Sequence, residues 1–287
     1  MPAASGRFIS SRSFTIPTAK KTLFKGTAHE LAVPSGRSGK RGIRDAEDVI
    51  RRILDHPSTP VFICSKLIQR FVDDEINFRK PSEGPYAGLL ARCIAAWNAT
   101  TPKGNIRKVL ETIFDSKEFW TGRTYRSKVK DPFEYIASTA RALGAKTSGR
   151  RLVPHLRAIG MELFTRDDPD GWLEVGGEWV DTGSFQSRMV FALEITARRA
   201  RGSDHYWDAA SFLKTHRLDT AEKIVDFFGT VLYAGEMTAQ DRSMVLDFLT
   251  TNQVGEKSPL RSDRRDFEPR VRQALGLLFS LPEWQFQ

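Results

Sequence analysis

The sequence is poor in the residues that cross-link a chain or build a metal cluster. Only two of its 287 residues are cysteines, Cys64 and Cys93, and only five are histidines. Two thiols cannot form a cysteine cluster, and spacing does not decide whether they pair. Both fall on apolar helical faces, so we expect buried thiols that pack as small hydrophobic groups. No histidine stands in a zinc pattern such as H-E-x-x-H, so no metal site is predicted from the histidines.

Long apolar runs are absent as well. No stretch approaches the roughly 18–20 apolar residues that are needed to cross a bilayer. The opening residues lack the apolar core of a signal peptide. The sequence as written therefore predicts no membrane span and no export by the usual route, which implies a cytoplasmic location for this polypeptide.

Four common catalytic or cofactor-binding motifs are also missing. The chain contains no G-x-S-x-G, no P-loop pattern, no G-x-G-x-x-G and no C-x-x-C-H. Serine hydrolases of the nucleophile-elbow type, P-loop enzymes, dinucleotide-binding enzymes and c-type cytochromes therefore have no support in the sequence. The sequence predicts no cofactor and favours a protein that is not an enzyme.

Acidic residues are almost missing from the first 44 residues. The net charge is +9, and residues 1–44 contain nine Lys or Arg residues against Glu30 alone, a balance of +8. A nucleic-acid-binding domain is expected to carry its basic surface on the folded body. Here the charge lies in a poorly patterned segment rich in Ser, Gly and Thr, so we interpret residues 1–44 as a basic, solvated leader. Nucleic-acid binding through this arm is the weakest functional hypothesis.

From Asp45 onward, the apolar residues recur at helical spacing, and alternating strand patterns are nearly absent. The sequence therefore predicts an all-α, multi-helix fold. The predicted helices begin near Asp45, at Ser58 or Thr59, and then cover residues 86–98, 105–116, 132–144, 152–159, 184–199, 221–233, 239–250 and 269–280.

Two segments of similar pattern suggest an internal repeat. Residues 58–119 and 221–284 each read as three helices, and an aromatic residue, Phe119 or Trp284, follows the last helix of each. We expect that aromatic ring to fold back onto the helix. The repeat predicts two similar lobes, residues 45–160 and 184–287, around a central loop of residues 161–183. Residues 45–287 can equally form one domain.

The central loop is rich in Trp, Gly and acidic residues. Such carboxylates could bind Ca²⁺ or act as a pair in glycan hydrolysis, although the order of an EF-hand is missing. The alternative is that Asp and Gly make turns, and that Asp181 or Thr182 caps the next helix. The acids are Asp167, Asp168, Asp170, Glu174, Glu178 and Asp181.

Trp172 and Trp179 have two interpretations: they stack on a ligand at the surface, or they anchor the loop onto the helices. Arg188 is close to the apolar face of the helix that follows, so we expect it to be partly buried and paired. One of the loop acids is a candidate partner, which would make Arg188 a structural latch or an anion site. Lys66 and Arg70, one helical turn apart, are secondary candidates whose alternative is a solvated face.

Several segments, in order, resemble one bacterial family, known as domain of unknown function 1800. The run at residues 56–72, HPSTPVFICSKLIQRFV, is similar to a family run that reads HPATARFLARKLWRFFV. Residues 113–120 resemble LLxSPEFW, and residues 128–136 resemble KVKSPxEYV. The segment from Gly160 through Trp172, Trp179 and Arg188 resembles the GW…W…TGxLxxR signature. Lys130 and Glu134, within residues 128–136, are further secondary candidates.

The resemblance implies a bacterial protein whose relatives are longer, often exported, and often encoded beside a sulfatase-like protein. It supplies no established catalytic residues. Because family members usually begin with a further helical half, the resemblance implies that this chain corresponds to their C-terminal portion.

Three functions follow as hypotheses. The first is a non-enzymatic binding or assembly module of an envelope-associated system, with a sulfatase-like protein as partner. The second is a hydrolase that acts on a glycan or another anionic substrate through the acidic loop. The third is nucleic-acid binding through residues 1–44.

Overall fold

Helices make up most of the structure. The computed structural model describes residues 20–37, 39–197, 204, 207–252 and 254–287. These residues form eleven α-helices and one two-stranded antiparallel sheet, which confirms the all-α, multi-helix prediction. No helix in the described part of the chain is long and apolar enough to cross a membrane.

The chain divides into two compact units, residues 1–121 and residues 122–287. This boundary lies earlier than the predicted division into lobes of residues 45–160 and 184–287. The physical reason is that Tyr135, Leu143 and Leu156 are buried in the same apolar core as Phe191 and Phe279. The predicted central loop, residues 161–183, is therefore part of unit 2.

Unit 1 is built around three helices that pack on one another. Its strands are β1 (Lys21–Leu23) and β2 (Leu31–Val33), and its helices are α1 (Ile43–Asp55), α2 (Ser58–Phe71), α3 (Ala87–Asn98) and α4 (Ile106–Phe114). Helices α2, α3 and α4 contact each other and enclose the core. Cys64 and Cys93 lie in this core as fully buried free thiols, as expected from their apolar faces.

The predicted basic leader is structured over much of its described part. Residues 1–19 lie outside the described residues, but β1 and β2 form a hairpin and a 3₁₀ turn at Gly39–Gly42 leads into α1. Arg37 pairs with Asp45 at 3.2 Å and with Asp48 at 2.6 Å. Asp45 lies in the first turn of α1, which begins two residues before the predicted start. The sequence did not indicate this hairpin, because three-residue strands are too short to show a periodic pattern.

The described residues of unit 2 form seven α-helices. They are α5 (Pro132–Ala142), α6 (Val153–Ala158), α7 (Thr182–Thr196), α8 (Ala209–Thr215), α9 (Ala221–Tyr233), α10 (Ala239–Thr250) and α11 (Phe267–Ser280). Helices α7 and α11 pack most closely on each other. Gly276 permits this approach, because a Cβ atom there would lie 2.8 Å from Leu193 Cδ2. Helix α8 was not predicted, and its seven residues span barely two turns.

Side-chain caps explain where several of these helices begin. Asp131 and Glu134 form a reciprocal capping box at α5, with Pro132 in the first turn as predicted. Asp181 and Ser184 form a second box at α7, and the Thr220 side chain caps α9. Each such cap satisfies backbone N–H groups that would otherwise lack a partner, and stabilises its helix by about 1 kcal/mol.

The two proposed repeat copies share their helix endings but not their packing. The Phe119 ring contacts Phe114 with centroids 5.2 Å apart, and Trp284 contacts Phe279 at the same separation. Both aromatic residues thus fold back onto their helices. In unit 1 the three helices form their own core, whereas α11 packs chiefly against α7. The second set of three helices is therefore embedded in a larger helical unit rather than forming a separate lobe.

Candidate functional site

The loop of residues 161–183, which we call the tryptophan loop, is fixed to unit 2 at two points. A Cβ atom at Gly176 would collide with the carbonyl oxygen of Val129, so the loop backbone lies directly against that segment. Three residues on, Trp179 is 6% exposed and donates a 3.2 Å hydrogen bond from Nε1 to the Leu173 carbonyl. A 3₁₀ turn at Gly176–Trp179 joins these two anchors.

Trp172 is held differently from Trp179. Its side chain is half-buried, with its ring 5.9 Å from the Trp179 ring at an interplanar angle of 54°. The guanidinium of Arg166 lies 5.7 Å from the Trp172 ring centroid. Trp179 is thus buried, as the anchoring interpretation expects, whereas Trp172 is only half-buried.

Several apolar side chains of the loop face outward. Phe164 is fully exposed and holds a left-handed backbone conformation with φ of 63°. Leu173 and Val180 are also exposed. An anchored loop that shows aromatic and aliphatic groups to solvent is typical of a surface that binds another molecule.

Two of the loop acids have local structural roles. Asp181 accepts the backbone N–H of Ser184, and this hydrogen bond lowers the pKa of its carboxyl group. Asp170 accepts two hydrogen bonds from Arg166, and these lower the pKa of Asp170. No group of three or more His, Cys, Asp or Glu residues that could hold a metal ion occurs within the described residues. The geometry thus gives no support to a Ca²⁺ site in the loop.

Arg188 is buried deeper than the sequence suggested, and its predicted partner is wrong. Its side chain is 0% exposed, donates a 2.8 Å hydrogen bond to the Lys130 carbonyl and a 3.2 Å bond to Gln285 Oε1, and lies over the Tyr135 ring. Within the described residues, no carboxylate pairs with it and its Nε has no hydrogen-bond partner. Burial accordingly lowers the pKa of the guanidinium. The loop acids cannot serve as partners because they lie at the surface or cap α7.

Lys130 is the second buried cation of this cluster. Its ammonium group donates a 2.7 Å hydrogen bond to the Trp284 carbonyl and lies 3.4 Å from the centroid of the Trp284 ring. The side chain is 6% exposed. Burial, together with the charges of Arg126 and Arg188, lowers the pKa of Lys130 to about 7.

Residues 281–287, which we call the C-terminal strap, supply most acceptors for these cations. The backbone N–H of Lys130 donates to the Gln285 carbonyl at 2.7 Å, and the Arg126 side chain donates to the Glu283 carbonyl at 2.9 Å. At the strap's end, Gln287 Nε2 donates to Glu134 Oε2 at 3.1 Å. The predicted candidates Lys130, Glu134 and Arg188 thus converge as a structural latch that holds the strap onto α5 and α7.

Tyr135 and Gln285 complete the latch, and neither was predicted. The Tyr135 hydroxyl lies 3.0 Å from the carbonyl oxygens of Arg188 and Phe279, and burial raises its pKa. Gln285 Nε2 donates to the Leu281 carbonyl. The position of Tyr135, one helical turn after Pro132, predicts only an ordinary core residue. Nothing in the local sequence indicates that residue 135 lies close to residue 285.

Lys66 and Arg70 belong to unit 1 and form a different environment. Lys66 Nζ lies 4.6 Å from the Phe78 ring centroid and 5.9 Å from that of Phe62, a cation–π arrangement. Arg70 is exposed on α2. The solvated-face alternative therefore describes Arg70, whereas Lys66 is half-buried between aromatic rings.

Comparison with known proteins finds a single class of match. Neither the curated proteins nor the solved structures include one that matches this chain. The model of the family described as a protein of unknown function, DUF1800, matches residues 3–286, almost the whole sequence. That extent agrees with the order of motifs and with the helical fold described above. The chain belongs to the DUF1800 family.

Proposed function

We propose that this protein is a non-enzymatic binding or assembly module of a bacterial envelope-associated system, and that it captures its partner on the tryptophan loop. One observation carries the proposal: Gly176 and Trp179 fix the loop while Trp172, Phe164 and Leu173 remain accessible. A rigid surface loses little conformational entropy on binding, so more of the contact energy appears as affinity. Exposed aromatic groups are the side chains that most often dominate such contacts.

The charge of the loop indicates the kind of partner. Residues 161–183 contain seven acidic residues and one basic residue, Arg166, whereas the chain as a whole carries +9. An acidic rim around apolar groups favours a partner surface that is apolar at its centre and basic at its edge. The sulfatase-like protein implied by the family resemblance is the first partner to test.

The hydrolase alternative draws less support from the geometry. It requires two loop carboxylates that face one substrate, with one of them free to donate a proton. Asp181 caps α7 and Asp170 binds Arg166, and the pKa of each is lowered, which favours the ionised form over the proton donor. The tryptophan loop therefore fits a binding surface better than a pair of acid and base groups.

The test is a binding measurement with the purified sulfatase-like protein as the probe. The Trp172→Ala variant is expected to lose at least about tenfold in affinity, typical of a hot-spot aromatic residue. Trp120→Ala is the matched control, because Trp120 is exposed in unit 1 and lies outside the loop. Both variants should stay folded at the temperature of the binding assay, although Trp172→Ala loses the contact between the Trp172 and Trp179 rings.

A Trp172→Ala protein that stays folded and binds as tightly as the parent would contradict the proposal. The proposal would also be contradicted if the parent protein did not bind the probe but hydrolysed a glycan, and if Asp170→Asn abolished that hydrolysis. Weaker binding at high salt would further support the acidic rim, since exposed charges are screened by salt.

A further inference from the structure

The loop of residues 147–151, between α5 and α6, converges on one carboxylate from a distant part of the chain. Oδ1 of Asp204 accepts the Ser148 backbone N–H at 2.6 Å and the Thr147 hydroxyl at 2.9 Å. Oδ2 accepts the Ser148 hydroxyl at 3.1 Å and the Arg151 backbone N–H at 3.1 Å. Four donors from one short loop thus enclose two oxygen atoms, and they hold the pKa of Asp204 far below its usual range.

The backbone of the loop is shaped for this task. Gly149 has φ of 83°, a conformation that favours glycine, and a Cβ atom there would meet open space. The turn at Gly149 leaves the N–H groups of Ser148 and Arg151 on the same side, aimed at the carboxylate. Successive N–H groups that form a concave surface are a recurring anion-binding arrangement in proteins.

The loop of residues 147–151, which we call the cradle, lies in a segment whose charged residues are all basic. Residues 144–161 contain Lys146, Arg150, Arg151 and Arg157 and no acidic residue. Lys146, Arg150 and Arg151 are exposed, and the guanidinium groups of Arg150 and Arg151 form no ion pair within the described residues. Arg150 and Arg151 thus bring two positive charges into the segment that holds the single negative charge of Asp204.

We propose that residues 147–151 are a binding site for a small oxyanion of the phosphate or sulfate class, and that Asp204 is its intramolecular occupant. Two oxygens of a tetrahedral oxyanion take the positions of the Asp204 oxygens. The remaining oxygens are then open to charge-assisted hydrogen bonds from the exposed guanidinium groups of Arg150 and Arg151. Asp204 competes with the external anion, so the affinity of the parent protein is reduced by the fraction of sites that Asp204 fills.

The proposal is independent of the tryptophan loop. It concerns the surface before α6, uses none of the residues assigned to partner capture, and predicts exchange of one anion for another without covalent chemistry. An anionic group on a larger molecule, such as a lipid headgroup, presents the same oxygens as the free ion.

The experiment measures anion binding by the parent protein and by Asp204→Ala, using inorganic phosphate and sulfate as probes and chloride at equal ionic strength as reference. Asp204→Ala empties the cradle, so we expect it to bind phosphate or sulfate with a saturable isotherm at least about tenfold tighter than the parent protein. Co-sedimentation with phosphatidylcholine vesicles, with and without phosphatidylglycerol, separates a lipid source from a free anion.

Three controls isolate the site. Asp219→Ala removes one acid from an exposed pair with Lys223 and should leave anion affinity unchanged, which excludes a general charge effect. Thr147→Val with Ser148→Ala, added to Asp204→Ala, deletes both hydroxyl donors and should abolish the gain. Asp204→Asn removes the charge but keeps one acceptor oxygen, so it should show a smaller gain than Asp204→Ala, and it replaces that variant if Asp204→Ala does not fold.

Saturable binding of either free anion by Asp204→Ala, lost with the hydroxyl donors, supports a site for a free oxyanion. Binding only to vesicles that contain phosphatidylglycerol supports a site for a lipid phosphate. If Asp204→Ala and Asp204→Asn bind neither free anion nor anionic vesicles more tightly than Asp219→Ala does, the proposal is overturned.

Discussion

The ammonium group of Lys130 lies 3.4 Å from the centre of the Trp284 ring and donates a 2.7 Å hydrogen bond to the carbonyl of the same residue. The ring and the carbonyl compensate for only part of the hydration that an exposed ammonium group has. The incomplete compensation lowers the pKa of Lys130 to about 7. Near neutral pH this lysine is therefore charged in only part of the folded population.

The stability of unit 2 should consequently rise with pH above neutrality. In the unfolded chain a lysine has a pKa of about 10.4, so between pH 7 and that value the unfolded state binds more protons than the folded state. Across this interval the free energy of unfolding increases with pH by up to a few kcal/mol. Below about pH 7, Lys130 contributes no pH dependence to it. Urea denaturation at several pH values between about pH 6 and about pH 9.5 measures the slope.

Lys130→Met tests the assignment of that slope. The variant removes the titrating group, so the rise in stability between pH 7 and pH 9.5 should largely disappear. Lys214→Met removes an exposed lysine of α8 and should leave the slope as it is. An unchanged slope in Lys130→Met would show that other groups cause the pH dependence. The measurements stop below about pH 10, because the raised pKa values of the buried Tyr135 and Tyr233 then make stability fall with pH.

Arg188→Met should destabilise unit 2 by about 1–3 kcal/mol. It leaves the Lys130 carbonyl and the Gln285 amide without the donors that they have now. Relief of the buried charge offsets part of this loss. Arg141→Met, at an exposed position of α5, is the control and should change the free energy of unfolding by less than about 0.5 kcal/mol. Equal effects in the two variants would argue against the latch.

Gly176→Ala and Gly177→Ala should differ sharply although they are neighbours. A Cβ at Gly176 collides with the Val129 carbonyl oxygen, so the loop backbone must move, at a cost of about 1–3 kcal/mol. A Cβ at Gly177 meets no atom within 4 Å, and its substitution should be nearly neutral. Thermal unfolding compares the two, and the Gly176 variant should also lose partner binding if that binding needs a fixed loop.

Two helical glycines should respond to alanine with opposite signs. At Gly276 the new Cβ would lie 2.8 Å from Leu193 Cδ2 and 3.2 Å from Thr196 Oγ1, so the contact of α7 with α11 must loosen. We expect a loss of about 1 kcal/mol. At Gly229 the nearest atom is Met237 Cε at 3.6 Å, an ordinary contact. There the better helix propensity of alanine should stabilise the protein by about 0.5–1 kcal/mol. A gain in both variants would mean that the α7–α11 contact adapts without cost.

Most helices could be predicted because their apolar residues keep a 3.6-residue period over several turns. The residues 221–233 and 239–250 were predicted with the bounds that α9 and α10 have. Helix α8 and the hairpin of β1 and β2 were missed because seven and three residues hold too little of a period to be distinguished.

The candidate site shows a different limit. Sequence position alone indicated that Arg188 is buried, because it lies beside an apolar face. It could not indicate the partner, since Gln285 is 97 residues away and the loop acids are nearer in sequence. The choice between anchor and surface for Trp172 and Trp179 depended on how deeply each ring is buried, which only the folded chain reveals.

The C-terminal strap also bears on the order in which the chain can fold during synthesis. In unit 1, α2, α3 and α4 follow one another and pack together, so this unit has its core once residue 121 has emerged from the ribosome. Unit 2 differs, because Lys130, Tyr135 and Arg126 bind groups that lie about 150 residues later. Arg126 and Lys130, which precede α5, and the Tyr135 hydroxyl on α5 therefore lack these acceptors until the last helix and the strap have been translated. During that interval unit 2 is the part of the nascent chain that a chaperone would bind.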